Sequence, residues 1–241
     1  MRLKDKAIAV TGAATGIGRA TALCCAQEGA RLALGDINEA EGRQTEALVR
    51  QAGGNALFVV TDVSREADVA HLMSEAERWL GRIDVLIHVA GVFKAGRVPV
   101  DEVEESVWNE VIAVNLKGPF LATKHVVPAM KRAGKGVIII VASGAGVRGG
   151  SSSIPYGSSK GGAHGLSLVL ADQLAPFNIR VHGFCPGSIA TPLMAQALEQ
   201  NKARTGVAEQ RSLGEPEGVA KVLAFLASDD ADYVRGTVFT R

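Results

Sequence analysis

Short apolar runs alternate with longer amphipathic segments along the whole chain. Residues 7–10, 31–35, 56–60, 85–89, 137–142 and 179–184 are nearly continuous in Val, Ile, Leu and Ala. That is the pattern of strands covered on both faces of a parallel sheet. A shorter candidate lies at 237–240. Between these runs, residues 16–28, 39–51, 66–79, 107–130, 156–175 and 217–227 read as helices, the fourth with an interruption near Pro119. Repeated strand–helix–strand units predict an α/β doubly wound fold, a parallel sheet of about seven strands with helices on both faces. No linker, charge block or internal repeat divides the chain, so a single domain is expected over residues 1–241. The longest irregular stretches, 93–103 and 191–216, follow strand ends. Ligand-binding loops sit there in such folds.

Composition narrows the class. Glycine supplies 28 of 241 residues, about 12% against a usual 7% or so. The glycines keep no three-residue period and 47% of the chain is hydrophobic, which excludes collagen and disorder. With 26 basic and 25 acidic residues the net charge is +1, too balanced for a partner such as nucleic acid or a membrane surface held by bulk charge. Cys24, Cys25 and Cys185 are odd in number and lack zinc-ligand spacing, which fits a reducing compartment and no metal. No signal-peptide core and no apolar span of roughly 18 residues is present. A cytoplasmic protein acting on a small molecule is expected.

The first strand runs into Thr11-Gly12-Ala13-Ala14-Thr15-Gly16-Ile17-Gly18 at a predicted helix start. Gly12 permits a tight turn, Gly16 lets backbone approach a pyrophosphate, and Gly18 allows close helix–strand packing. The helix N-terminus adds free N–H groups and a positive dipole end. The second strand ends at Asp36, 18 residues after Gly18, where a carboxylate meets an adenosine ribose and repels a 2′-phosphate. Neither Thr15 nor Ile37-Asn38 offers the cation that a 2′-phosphate wants. NAD is therefore the expected cofactor, with N-capping of the next helix as the alternative use of Asp36. Asp62-Val63, after the third strand, reads equally as an adenine contact or as a helix cap.

Tyr156 and Lys160, four apart, share a helix face. An ammonium beside a phenol favours phenolate and draws the Tyr pKa down towards the range of a general acid–base. Ser143 lies 13 residues before Tyr156, just past the most apolar strand. Its hydroxyl there can hold a substrate carbonyl or satisfy a turn.

Together, Thr11-Gly12-x-x-x-Gly16-x-Gly18, Asp36, Asp62-Val63, Ala90-Gly91, Asn115, Ser143, Tyr156-x-x-x-Lys160 and Pro186-Gly187 through Thr191 resemble the short-chain dehydrogenase/reductase family. The resemblance covers essentially the whole chain. It implies a Rossmann-type fold, a homotetramer, and hydride transfer between NAD(H) and a secondary alcohol or ketone. Tyr156 would move the hydroxyl proton, Lys160 would bind the nicotinamide ribose, and Ser143 would position the substrate oxygen. Asn115 would hold a relay water, although a lone helical Asn more often bonds a backbone carbonyl. Ile189 and Thr191 would meet the carboxamide. Gly12, Thr15, Gly16, Ile17, Gly18, Asp36, Ile37, Asp62, Val63, Ala90, Gly91, Pro186 and Gly187 complete the implied cofactor surface. A 3-oxoacyl thioester (acyl-carrier-protein) reductase is the alternative enzyme, and a non-catalytic NAD-binding sensor the alternative of another class.

Three departures stand out. His88-Val89-Ala90-Gly91 replaces the family's Asn-Asn-Ala-Gly, and His182 replaces a second usual Asn; both histidines are expected to be structural. The chain ends at Val238-Phe239-Thr240-Arg241 without the usual Asp-Gly-Gly continuation, which bears on subunit packing rather than on hydride chemistry. Substrate contacts are expected from Phe93, Lys94, residues 145–153 and residues 188–194 with the helix beyond them. Val147, Leu193 and Met194 there are apolar, while Lys94 and Arg148 offer charge for an acidic group or simply face solvent. Lys202, Arg204 and Arg211 are read as surface charge. Leu166, Val169 and Leu170 offer apolar surface for self-association. Ten of the 28 glycines fall between Gly134 and Gly165. Gly157, Gly161, Gly162 and Gly165 each cost their helix about 1 kcal/mol relative to Ala, which makes sense where its backbone lies close against something else.

Overall fold

A computed structural model describes residues 1–240. Arg241, the last residue of the expected domain, lies outside the described residues. Seven strands form one sheet: β1 (Ala7–Thr11), β2 (Arg31–Asp36), β3 (Asn55–Val60), β4 (Val85–His88), β5 (Gly136–Val141), β6 (Ile179–Cys185) and β7 (Gly236–Phe239). Their order is β3-β2-β1-β4-β5-β6-β7, with every pairing parallel. The order reverses direction at β1 and β4, and such a switch point opens a crevice beyond the carboxyl ends of the strands.

The apolar runs are explained by two cores. Ile8, Val10, Leu34 and Ile139 point to one face, where Ala22 and Cys25 of α1 (Gly16–Gln27) and Leu223 of α9 (Pro216–Ala227) cover them; α2 (Glu39–Gln51) flanks the same side. Ala9, Ala33, Leu86 and Ile138 point to the other. There α3 (Glu66–Leu80), α5 (Gly118–Ala133) and α7 (Ile154–Leu174) supply Leu72, Leu121 and Ala163. Burying each large aliphatic side chain contributes about 2 kcal/mol.

Three elements differ from expectation. The helix expected at 107–130 is α4 (Glu105–Ile112), a wide π-helical turn (Ala113–Lys117) and then α5. Pro119 stands in the first turn of α5, just after the wide turn, and has no N–H to give a carbonyl within it, so the interruption expected near Pro119 lies just ahead of it. A short helix, α6 (Gly144–Arg148), follows β5. The stretch 191–216, expected to be irregular, contains α8 (Pro192–Thr205). Its signals are present in the sequence: Thr191 caps it, Pro192 stands in its first turn, and Gly206 ends it at φ +73°.

Among the α7 glycines, a Cβ on Gly161 would lie 3.0 Å from Gly146 O and one on Gly162 would lie 2.9 Å from Leu116. Gly157 likewise approaches Ser151, whereas Gly165 faces open space. Leu166 and Leu170 pack on the core, and Val169 is left 67% exposed. No helix among the described residues is long and apolar enough to cross a membrane.

Candidate active site

A cleft of about 560 Å³ opens over the β1/β4 switch point. One end is built by the glycine turn. Gly12 adopts φ +69°, and a Cβ there would fall 2.5 Å from Ala90 N; on Gly18 it would fall 1.8 Å from Gly12 O. A Cβ on Gly16, at φ +51°, would meet Thr191 across the cleft at 3.0 Å. Backbone therefore lines this end without side-chain bulk, above the N-terminus of α1, which suits a pyrophosphate.

Asp36 closes the β2 side. Its carboxylate accepts from Ala14 N at 2.9 Å and from Asn38 N at 2.9 Å. The N-cap of α2 is Asn38, whose side chain accepts from Glu41 N. The capping alternative for Asp36 is thus filled by another residue, and Asp36 stays on the cleft wall beside the exposed Ile37. Asp62 accepts from Ser64 N and Oγ at 2.9 and 2.7 Å, a local turn, and no side chain caps α3. Val63 is buried against Gly118.

At the other end, Ser143 caps α6, its Oγ accepting from Ala145 N at 3.2 Å. Ser153 caps α7 and so fixes the turn that carries Tyr156. The Tyr156 ring packs on Phe93 with centroids 5.2 Å apart. Burial pushes its phenol above the ordinary range, and the Ser143 hydroxyl pulls in the opposite direction. Desolvation outweighs that hydrogen bond, and Lys160 does not enter, so the lowering expected from Lys160 is not found. Lys160 is itself buried and donates to Val141 O at 2.7 Å. Desolvation brings its ammonium down to about 8, partly opposed by Cys185.

Asn115 lies in the wide turn behind the wall. Its amide donates to Val92 O (2.9 Å) and Ser159 Oγ (3.0 Å) and accepts from Val92 N (2.8 Å). These bonds hold the loop after β4. A Cβ on Gly91 would lie 3.3 Å from both Asn115 Oδ1 and Lys160 Nζ, so Gly91 spaces the two. His88 is hydrogen-bonded through Nδ1 to Thr11 Oγ1 at 2.9 Å and ties β4 to β1. Its burial, with the Lys160 charge, holds its pKa down to about 3.

Of the implied catalytic and cofactor-binding residues, all but Gly18 and Asn115 line this one cleft, including Pro186, Gly187, Ile189 and Thr191, whereas the expected substrate contacts Phe93, Lys94 and 145–153 do not. Leu193 and Met194 line it too, while Arg148 turns away onto Phe239. Val92, Glu110 and Val114 also line it and were not foreseen. Glu110 and Val114, four apart along one face before and within the wide turn, were the readable signal.

The profile described as short chain dehydrogenase matches residues 6–202. A 3-oxoacyl-[acyl-carrier-protein] reductase of Thermotoga maritima is 39% identical, over 99% of this chain and 96% of that one. A cis-4-hydroxycyclohexanecarboxylate dehydrogenase of Sinomonas cyclohexanicum is also 39% identical, over 97% and 94%. Among solved structures, an actinorhodin polyketide ketoreductase with NADPH superposes with a TM-score of 0.91 at 29% identity, over 100% and 97%. The parallel sheet, the glycine turn at its switch point and the profile match over most of the chain agree, and the chain belongs to the short-chain dehydrogenase/reductase family of oxidoreductases, which bind a nicotinamide dinucleotide and act on small molecules.

Proposed function

We propose that this protein interconverts a secondary alcohol and its ketone with NAD as the cofactor. The observation that carries the reading is the convergence of Ser143, Tyr156 and Lys160 on one end of the cleft whose other end is the glycine turn and Asp36. A nicotinamide bound there supplies or accepts the hydride. Ser143 holds the substrate oxygen, and Tyr156 gives its proton to that oxygen during reduction or takes it during oxidation. Lys160 would hold the cofactor ribose and contribute positive charge, and Asn115 fixes the loop after β4. Phe93, packed on the phenol, excludes water from the reacting oxygen. The relative acting on cis-4-hydroxycyclohexanecarboxylate supports a secondary alcohol on a ring as the reacting group, apart from any charge the substrate carries. Exposed Leu168 and Val169 on α7 support self-association through that face, in line with a tetramer.

The test mixes the purified protein with NAD or NADP and a panel of cyclic secondary alcohols, following reduced-nicotinamide absorbance. Turnover should favour NAD, because the Asp36 carboxylate repels a 2′-phosphate. Asp36→Ala should narrow the NAD/NADP ratio of kcat/KM by about tenfold or more. Equal or better use of NADP by the wild type would refute the assignment. A 3-oxoacyl thioester reductase is the second reading, supported by the Thermotoga maritima relative. Faster reduction of a 3-oxoacyl thioester than of any cyclic ketone would favour it.

A further inference from the structure

The two cations that the sequence offers to an acidic substrate both have partners in the fold. Arg148, at the end of α6, stands 4.0 Å from the Phe239 ring centroid, towards the last strand. Lys94 lies just outside the cleft, in a neighbouring cavity that Glu102 and Gln200 also line. It follows Phe93, which packs on Tyr156, and its carbonyl accepts from Ser153 Oγ at 2.6 Å, at the cap of the Tyr156 helix. Its ammonium meets the Glu110 carboxylate at 2.6 Å, and Glu110 lines the cleft. Val92, Leu193 and Met194 add apolar wall. Apart from the buried Lys160, the charged side chains at this end are thus Glu110 on the cleft wall and Lys94 just outside it, paired with one another.

The pair is 38% and 48% exposed, and an ion pair so open to water contributes little to stability. Its effect is on what enters. A substrate carboxylate must compete with Glu110 for Lys94 and is repelled by Glu110 while doing so. A neutral substrate meets neither cost. We propose that Glu110 is a specificity-determining residue: by occupying Lys94 it makes the cleft select uncharged secondary alcohols and ketones over those that carry a carboxylate. The inference rests on reading the site as one for alcohols and ketones, but its test does not require turnover.

The experiment is calorimetric binding of 4-methylcyclohexanone and of 4-oxocyclohexanecarboxylate to the protein saturated with NAD. A ketone beside the oxidised cofactor has no hydride to accept, so binding is read without reaction. The wild type should bind the neutral ketone more tightly by about tenfold, and Glu110→Gln should shrink that ratio by about tenfold, more at low salt than at high. Adding Lys94→Met to Glu110→Gln should restore the preference. Wild-type binding of the carboxylate as tight as that of the neutral ketone would overturn the proposal. So would a ratio unmoved by Glu110→Gln, or binding of neither ketone. The matching alcohols are then assayed for turnover. Selective binding without any turnover would count against the dehydrogenase reading alone and leave the selectivity standing.

Discussion

Replacing Tyr156 with Phe should lower kcat/KM by about 10³-fold in both directions while leaving NAD binding within a fewfold of wild type. The phenyl ring keeps the contact with Phe93, so only the hydroxyl is lost. The comparison is made by reduced-nicotinamide absorbance for turnover and by calorimetry for cofactor binding. Retention of more than a tenth of the activity would remove Tyr156 from proton transfer, and a wild type without turnover would leave a cofactor-binding sensor. The pH profile has a definite sign. Alcohol oxidation needs phenolate, and burial holds the Tyr156 phenol above its ordinary range. The oxidative rate should therefore still be climbing in alkaline solution, while ketone reduction, which needs the phenol, stays level through neutrality.

Mild acid should destabilise the fold strongly, through two histidines. His88 is held down to about 3 and His182 to about 4, in both cases chiefly because burial disfavours the charged ring. In the unfolded chain each takes up its proton near pH 6.5 or so. Between that pH and the folded values the unfolded state binds more protons, so stability is full above about pH 6.5 and falls as pH drops. At pH 5 both folded values still lie lower, and each histidine costs about 2 kcal/mol, about 4 kcal/mol together. Carboxylates held down by partners, such as Glu28 and Asp229, lose their contribution only further into acid. Comparing urea midpoints at pH 7 and pH 5 isolates the histidines. A double variant, His88→Asn with His182→Asn, should lose most of the difference; a slope unchanged from wild type would show that neither ring matters.

The strands were legible because β1, β4, β5 and β6 are buried on both faces and are therefore mostly apolar. The glycine turn was legible for a different reason: the 1.8 Å between a Cβ on Gly18 and Gly12 O leaves no other residue a place. Helix α8 was not, because its residues are mostly polar and its capping signals stand in a long hydrophilic stretch. The acidity of Tyr156 misled because spacing alone shows Lys160 on the same face and says nothing of desolvation. Glu110 escaped notice because its place depends on Lys94, 16 residues earlier and on a separate loop. Asp36 gained most from the coordinates, since its neighbour Asn38 proved to be the cap.

The wide turn at Ala113–Lys117 has a bearing on which changes of length this chain tolerates. A π-helical turn amounts to one residue inserted into an α-helix, and each residue turns the helix by about 100°. The insertion leaves the strands in register, since the slack is absorbed between α4 and α5. It nevertheless resets which face every later residue of α5 presents. Gly118 meets Val63 and His88, and Leu116 meets Gly162, only in this phase. Exposed positions of α5 can exchange side chains, but a deletion between Ala113 and Lys117 would turn its buried face, with Leu121 and Val126, out of the core.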